Sequence, residues 1–384
     1  MSKNKTFDVV VVGTGVFGAW TAWHLSKRGQ RVLLLDAYGI AHARASSGGE
    51  TRIIRMGYGS DEIYTRWSHH SLGQWKALFA ATQQPLFLDT GVLWLAGNDA
   101  SRLDDSRDML NKCGIPFEVL GPPQLEERYP QINFADVALG MLEPESGVLL
   151  ARRAVNAVVN NAVKNGADFQ IAQVAQPRAR NILDAVKTSA GDRFSADHFV
   201  FACGPWLGKV FPELLGTRIF PTRQEIFFFG APAGDSRFTP SALPTWLFQG
   251  EEVYGMPDIE SRGLKFARDI HGEIVDPDTQ SRIASADEAI WAREYVAWRF
   301  PAMKDAPIVE TRVCQYENTS HGDFLIDRHP ELSNVWLAGG GSGHGFKHGP
   351  AFGEYLANQI LGGGTVEPRF SLASKAPSRN RTVF

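Results

Sequence analysis

The hydrophobic pattern changes character along the chain. Near the start it does not alternate: Val9 to Val12 and Val32 to Leu35 are unbroken apolar runs, the mark of strands buried on both faces. Val16 to Lys27 between them predicts a helix, so "FDVVVVGTGVFGAWTAWHLSKRGQRVLLLD" reads as strand, helix, strand. "LLARRAVNAVVNNAVKNGADFQIAQV" predicts a helix and then a strand, and "NILDAVKTSAGDRFSADHFVFACG" a meander feeding a buried strand. "NVWLAGGGSGHGFKHGPAFGEYLANQILGG" predicts a strand and a helix starting near Pro350. Elsewhere the period shortens. "FLDTGVLWLAG", "QEIFFFGAP" and "PTWLFQGEEVYGMPDIESRGLKFARD" predict short strands around turns, an antiparallel signature. The fold class expected is α/β, in the two-domain α+β sense: a Rossmann-like domain in three pieces, residues 1–82, 150–220 and 321–384, with an antiparallel-sheet substrate domain inserted as 83–149 and 221–320. The polar tail from Ser371 is expected to be loosely held.

Composition narrows the function classes. At 384 residues the chain can bury a substantial core, and 39 Lys plus Arg against 42 Asp plus Glu leave a net charge of −3, no global field for nucleic acid or an anionic membrane. Cys113, Cys203 and Cys314 are odd in number and far apart, which indicates neither a disulfide framework nor a zinc site, and no metal is expected. The apolar run after "MSKNKTFD" stops at Gly13, too short for a signal segment, and no stretch reaches the roughly 20 apolar residues of a membrane span. A cytoplasmic protein without nucleic-acid or membrane partners is the expectation.

The first turn carries the strongest local chemistry. Gly13, Gly15 and Gly18 stand in GxGxxG spacing after a strand and at the start of a helix, and Asp36 closes the second strand. Glycine there allows the turn and a close backbone approach, while the helix start supplies amide donors for a pyrophosphate. Asp36 is placed to accept from a ribose hydroxyl, and a carboxylate there repels a 2′-phosphate. On its own chemistry Cys314 is open to three readings: packing, nucleophile or attachment point.

Together with the glycine turn, "SSGGETRIIRMGYG" at 46–59, "DTGVLWLAG" at 89–97, "PESGVL" at 144–149, "ACGPW" at 202–206, "LK" at 264–265, "RVCQY" at 312–316, "DFLIDRHP" at 323–330 and "GSGHGFK" at 341–347 carry a family likeness. In collinear order over nearly the whole chain, they resemble the monomeric sarcosine oxidase family of flavoprotein amine oxidases, to which N-methyltryptophan and pipecolate oxidases are close. The resemblance implies FAD, bound covalently through a thioether from Cys314 to the flavin 8α carbon. It implies oxidation of a secondary or N-alkyl amino acid to an imine, with dioxygen reduced to hydrogen peroxide, by a monomer. Arg55 and Lys347 match the pair that binds the substrate carboxylate, and Tyr254 and Tyr316 match aromatic positions lining the cavity. Arg52 and Lys265 match the basic residues beside the flavin, with Lys265 the position implied for oxygen activation. Thr51, Arg52, Val174, Gly343, Gly345 and Lys347 fall among the implied cofactor contacts. Glycine amides ahead of Pro350 are placed to face the pyrimidine end of the ring.

Two departures bear on specificity. The family's "SHHGDTR" is "SSGGETR" here, with Gly48 and Gly49 in place of the histidine-bearing edge. Four residues after Lys265, where the family has a histidine, stands Asp269, with His271 two further on. Strand parity lets His271 take that role; alternatively Asp269 faces the cavity, repels a second anion and favours a more cationic substrate. Three function classes follow: an oxidase, a dehydrogenase using another electron acceptor, and a flavin-bearing scaffold without turnover. A bulkier amine is the alternative substrate.

Overall fold

The computed structural model of the protein describes residues 6–378. The unbroken apolar runs form the centre of a seven-stranded sheet, in the order Leu325–Arg328, Val335–Gly339, Arg193–Phe201, Thr6–Val12, Val32–Asp36, Asp168–Ile171. Ala185–Lys187 pairs antiparallel onto Arg193–Phe201. The central pairs are parallel, as strand–helix–strand connections require. Both faces of the sheet are covered, which is why these runs do not alternate. Val9 and Val11 pack with Trp20, Leu25 and Phe352 on one face, and Val10 and Val12 with Phe199, Phe201 and Leu207 on the other. Helix Val16–Lys27 crosses helix Gly349–Ile360, with the rings of Phe17 and Phe352 stacked at 3.7 Å.

The second sheet has eight strands, ordered Ile308–Asn318, Phe220–Phe229, Leu264–Arg268, Val253–Met256, Thr245–Phe248, Val92–Ala96, Leu139–Glu143, Glu118–Leu120. Here the alternation is real. Phe227 and Phe229 join the core beneath helix Ala286–Arg299, whereas Ile226 and Phe228 face the opposite side with Ala267. The antiparallel expectation needs one correction: Thr245–Phe248 runs parallel to Val92–Ala96. These strands come from widely separated parts of the chain, so no hairpin dictates their direction. A small sheet, Arg52–Ile54, Gly147–Leu149 and Phe87–Leu88, lies apart from both.

The helix expected near Pro350 is present, and the expectation for the tail changes. The last helix begins at Gly349 and is preceded by a 3-10 turn, Phe346–His348, with Pro350 in its first turn, where a missing N–H costs nothing. The tail is held where it is described: the Leu372 amide donates to Asp327 at 2.7 Å, Arg218 donates to the carbonyls of Leu372 and Lys375, and Lys375 is buried. Residues 379–384 of that segment lie outside the described residues.

Candidate active site

The carboxyl ends of the first sheet's strands open onto a cavity of about 400 Å³ lined by Gly13, Gly15, Asp36, Val174, Gly343 and Gly345. Gly13 has φ +106°, and a Cβ on it would lie 2.2 Å from the Ala202 carbonyl oxygen; a Cβ on Gly18 would lie 2.0 Å from that of Gly13. The turn is thus pressed between strand and helix. Val16, the first helical residue, donates its amide to Ser47 Oγ at 3.0 Å. Asp36 accepts from the amide and hydroxyl of Thr14 at 2.8 and 2.9 Å and from the amides of Tyr38 and Gly39. It therefore ties the strand end to the glycine turn as well as lining the cavity. An elongated crevice bordered by a helix start and glycine amides fits the diphosphate and adenosine of FAD.

At the far end the crevice meets a smaller chamber of about 70 Å³; Arg52, Tyr316, Gly343 and Phe346 line both. Arg55, Tyr254, Lys265, Asp269, Cys314 and Lys347 line the chamber. Cys314 and Tyr316 are alternate residues of Ile308–Asn318, so both face the cleft while Val313 and Gln315 are buried on the other side. Cys314 Sγ lies 3.6 Å from an Arg52 nitrogen that also donates to the Ser46 carbonyl, and Arg52 donates to the Thr51 carbonyl at 2.7 Å. Lys265 Nζ donates to the carbonyl and hydroxyl of Thr51, both at 3.1 Å. Burial, reinforced by the Arg52 guanidinium, pushes the Lys265 ammonium down to about 7.

Arg55 and Lys347 are each 4 % exposed. The Arg55 guanidinium lies between the rings of Tyr58 and Trp94, at 4.4 and 4.7 Å, and donates to the Gly57 carbonyl. Lys347 Nζ donates to the Tyr58 hydroxyl at 2.7 Å and to the His344 carbonyl at 2.9 Å. The Tyr254 ring lies 5.9 Å from Lys265 Nζ, and burial pushes its phenol well above the ordinary value. Of the two candidates after Lys265, Asp269 lines the chamber, whereas the His271 ring packs edge-on against Tyr316 at 6.4 Å. The strand ends at Arg268, so its parity does not extend to His271.

Sequence reasoning missed three buried carboxyl and hydroxyl groups here. Glu143 accepts from the amides of Met56 and Gly57, from Trp94 Nε1 at 2.7 Å and from Ser146, which fixes both the turn after Arg55 and one wall of its slot. Its neighbourhood in "PESGVL" was the available signal. Glu317 lines the large cavity, its Oε1 is buried without a hydrogen-bond partner, and burial pushes its carboxyl up to about 8. Tyr58 touches Arg55 and Lys347 at once.

The fold and the two adjoining cavities define a protein of two large sheets that holds a dinucleotide beside a cation-lined chamber. The chain belongs to the DAO family of FAD-dependent oxidoreductases, whose model matches residues 8–359, and FAD is its cofactor. It is 31 % identical over 377 residues to monomeric sarcosine oxidase of Bacillus sp. (strain NS-129), with 96 % of each chain covered. It is 29 % identical over 386 residues to the peroxisomal sarcosine oxidase of Homo sapiens, covering 98 % of this chain and 97 % of the relative. L-proline dehydrogenase from P. horikoshii shares the fold, with a TM-score of 0.84, 23 % identity, and 96 % and 98 % of the two chains covered. Among the described residues no helix is long and apolar enough to cross a membrane.

Proposed function

We propose that the protein oxidises the C–N bond of a small secondary or N-alkyl amino acid, sarcosine-like, to an imine that water hydrolyses to an aldehyde or oxo acid plus amine, with dioxygen reduced to hydrogen peroxide. FAD supplies the acceptor for the two electrons taken from the substrate carbon. The observation that carries the reading is the pair Arg55 and Lys347, both buried on the wall of the chamber that joins the FAD crevice. An arginine fork and an ammonium in a dry chamber suit one carboxylate. Tyr254 and Tyr316 shape the walls, and Lys265 places a cation where charge develops on dioxygen. Cys314 is the attachment point, supported by its position where crevice and chamber meet.

Residues 1–82, 150–220 and 321–384 form the FAD-binding part and 83–149 with 221–320 the substrate part, a division supported by the segments from which each large sheet draws its strands. A monomer, after the Bacillus relative's name, acting in the cytoplasm completes this reading. Sedimentation and cell fractionation check those two points. A bulkier amine is the second reading. A further cavity of about 40 Å³, lined by Trp94, Phe248 and Glu252, shares Arg55, Leu247 and Asp269 with the chamber and leaves room for a longer substituent.

Peroxide production in air from sarcosine, N-methyl amino acids, pipecolate, iminodiacetate and glycated amino acids tests the oxidase. Anaerobic bleaching of the flavin without peroxide in air would instead assign another electron acceptor. For Cys314, acid-precipitated wild-type protein should be yellow and Cys314→Ser should release its flavin to the supernatant; a colourless wild-type precipitate removes the tether.

A further inference from the structure

Tyr58 lies three residues after Arg55 and has no part in the reading above. Its side chain is buried, and its hydroxyl is the hub of a polar cluster: Lys347 Nζ at 2.7 Å, His348 Nε2 at 2.7 Å and His344 Nδ1 at 3.2 Å. The face of the same ring carries the Arg55 guanidinium at 4.4 Å. One side chain therefore contacts both cations of the carboxylate pair.

The direction of the hydrogen bonds follows from the groups. An ammonium only donates, so the Tyr58 oxygen accepts from Lys347 and has its own proton to give to an imidazole nitrogen. His344 Nε2 lies 2.9 Å from the Gly322 carbonyl and donates there, which leaves His344 Nδ1 to accept the Tyr58 proton; His348 is buried, and burial, with Lys347 beside it, holds it well below the ordinary histidine value, so it adds no second charge. The chain Lys347 to Tyr58 to His344 thus leaves the positive charge on Lys347. A lysine stem has high rotamer freedom, and fixing it before substrate arrives lowers the ordering cost of binding.

We propose that Tyr58 is the positioning residue of the substrate-carboxylate site, its hydroxyl fixing the Lys347 ammonium and its ring fixing the Arg55 guanidinium so that both meet one carboxylate. This rests on the reading of Arg55 and Lys347 as the carboxylate pair. Acetate, which has the carboxylate and no amine, is the probe, and its dissociation constant is read from the visible spectrum of the holoenzyme, without turnover. Tyr58→Phe keeps the ring and removes the hydroxyl; it should weaken acetate binding about ten- to hundredfold, the range for a hydrogen bond to a charged group. In a Lys347→Met background the same change should cost little, because the partner is gone. With a turnover substrate the loss should fall on KM more than on kcat. Acetate binding unchanged in Tyr58→Phe, or weakened equally with and without Lys347, overturns the inference. If Arg55→Met and Lys347→Met both leave acetate binding intact, the carboxylate-pair reading itself fails. If they weaken it and Tyr58→Phe does not, only the role of Tyr58 fails. Should Tyr58→Phe not fold, Tyr58→His, which keeps an aromatic face and a ring acceptor, should bind acetate more tightly than Tyr58→Leu, and equal affinities overturn the inference.

Discussion

Lys265 and Glu317 are buried groups at the site whose charged forms burial disfavours, and each gives a pH dependence. Lys265, at about 7 instead of 10.5, is charged only toward lower pH. The rate of reoxidation by dioxygen should therefore fall as pH rises, with a midpoint at or above about 7. Lys265→Met should abolish this dependence and slow reoxidation by about 10²–10³-fold while sparing reduction by substrate; rapid-mixing measurements of the two half-reactions decide, and equal slowing of both contradicts the role. Glu317 has its carboxyl raised from 4.5 to about 8, so the folded state holds a proton that the unfolded chain gives up earlier. Its contribution to stability is fully present below about 4.5 and is lost as pH rises through about 8. Denaturant unfolding of wild type and Glu317→Gln across that window should show the wild-type advantage shrinking with pH, and a difference that does not vary with pH contradicts the shift. Neither Glu317 nor Tyr58 was legible as a site residue, because what each touches lies far along the chain: Tyr58 meets Lys347 across 289 positions.

At the scale of elements, strand Ile308–Asn318 joins the two halves of the site. It pairs with Phe220–Phe229 in the second sheet, points Cys314 and Tyr316 into the cleft, and at its end the Glu317 carbonyl accepts the Ser342 amide from the glycine-rich loop. The crossing of the first and last helices anchors the crevice from beneath. Phe352, fully buried and stacked on Phe17, belongs to that contact. Phe352→Ala should cost about 3–5 kcal/mol of stability, measured by denaturant unfolding, since the ring leaves a cavity that rigid neighbours do not refill. Elements of this kind were readable in advance where a single pattern governs them: Val16–Lys27 has the expected bounds because a glycine turn starts it and two buried strands flank it. The place of Asp269 was not readable, since it turns on where strand Leu264–Arg268 stops, and parity says nothing past a strand's end.

Across the whole molecule, the arrangement of two sheets followed from the change in hydrophobic period, whereas the parallel pair between Thr245–Phe248 and Val92–Ala96 did not, because long-range strand direction leaves no local mark. Glu143 makes the same point for the site: it fixes the Arg55 turn from 87 positions away, and its role appears only once both segments are folded together. The consequence of that folding is an FAD crevice that shares a wall with a chamber lined by the buried basic side chains Arg55, Lys265 and Lys347. The proposed substrate is a carboxylate-bearing secondary amine bound there against the flavin. Anaerobic mixing of the holoenzyme with sarcosine and the other secondary amino acids named above, beside dimethylamine, which lacks the carboxylate, tests this most directly. Bleaching of the flavin by at least one of the amino acids, abolished or strongly weakened in Arg55→Met and Lys347→Met and not seen with dimethylamine, is the result predicted. An unbleached flavin with every amino acid, or bleaching by dimethylamine as fast as by its carboxylated counterpart, would contradict it.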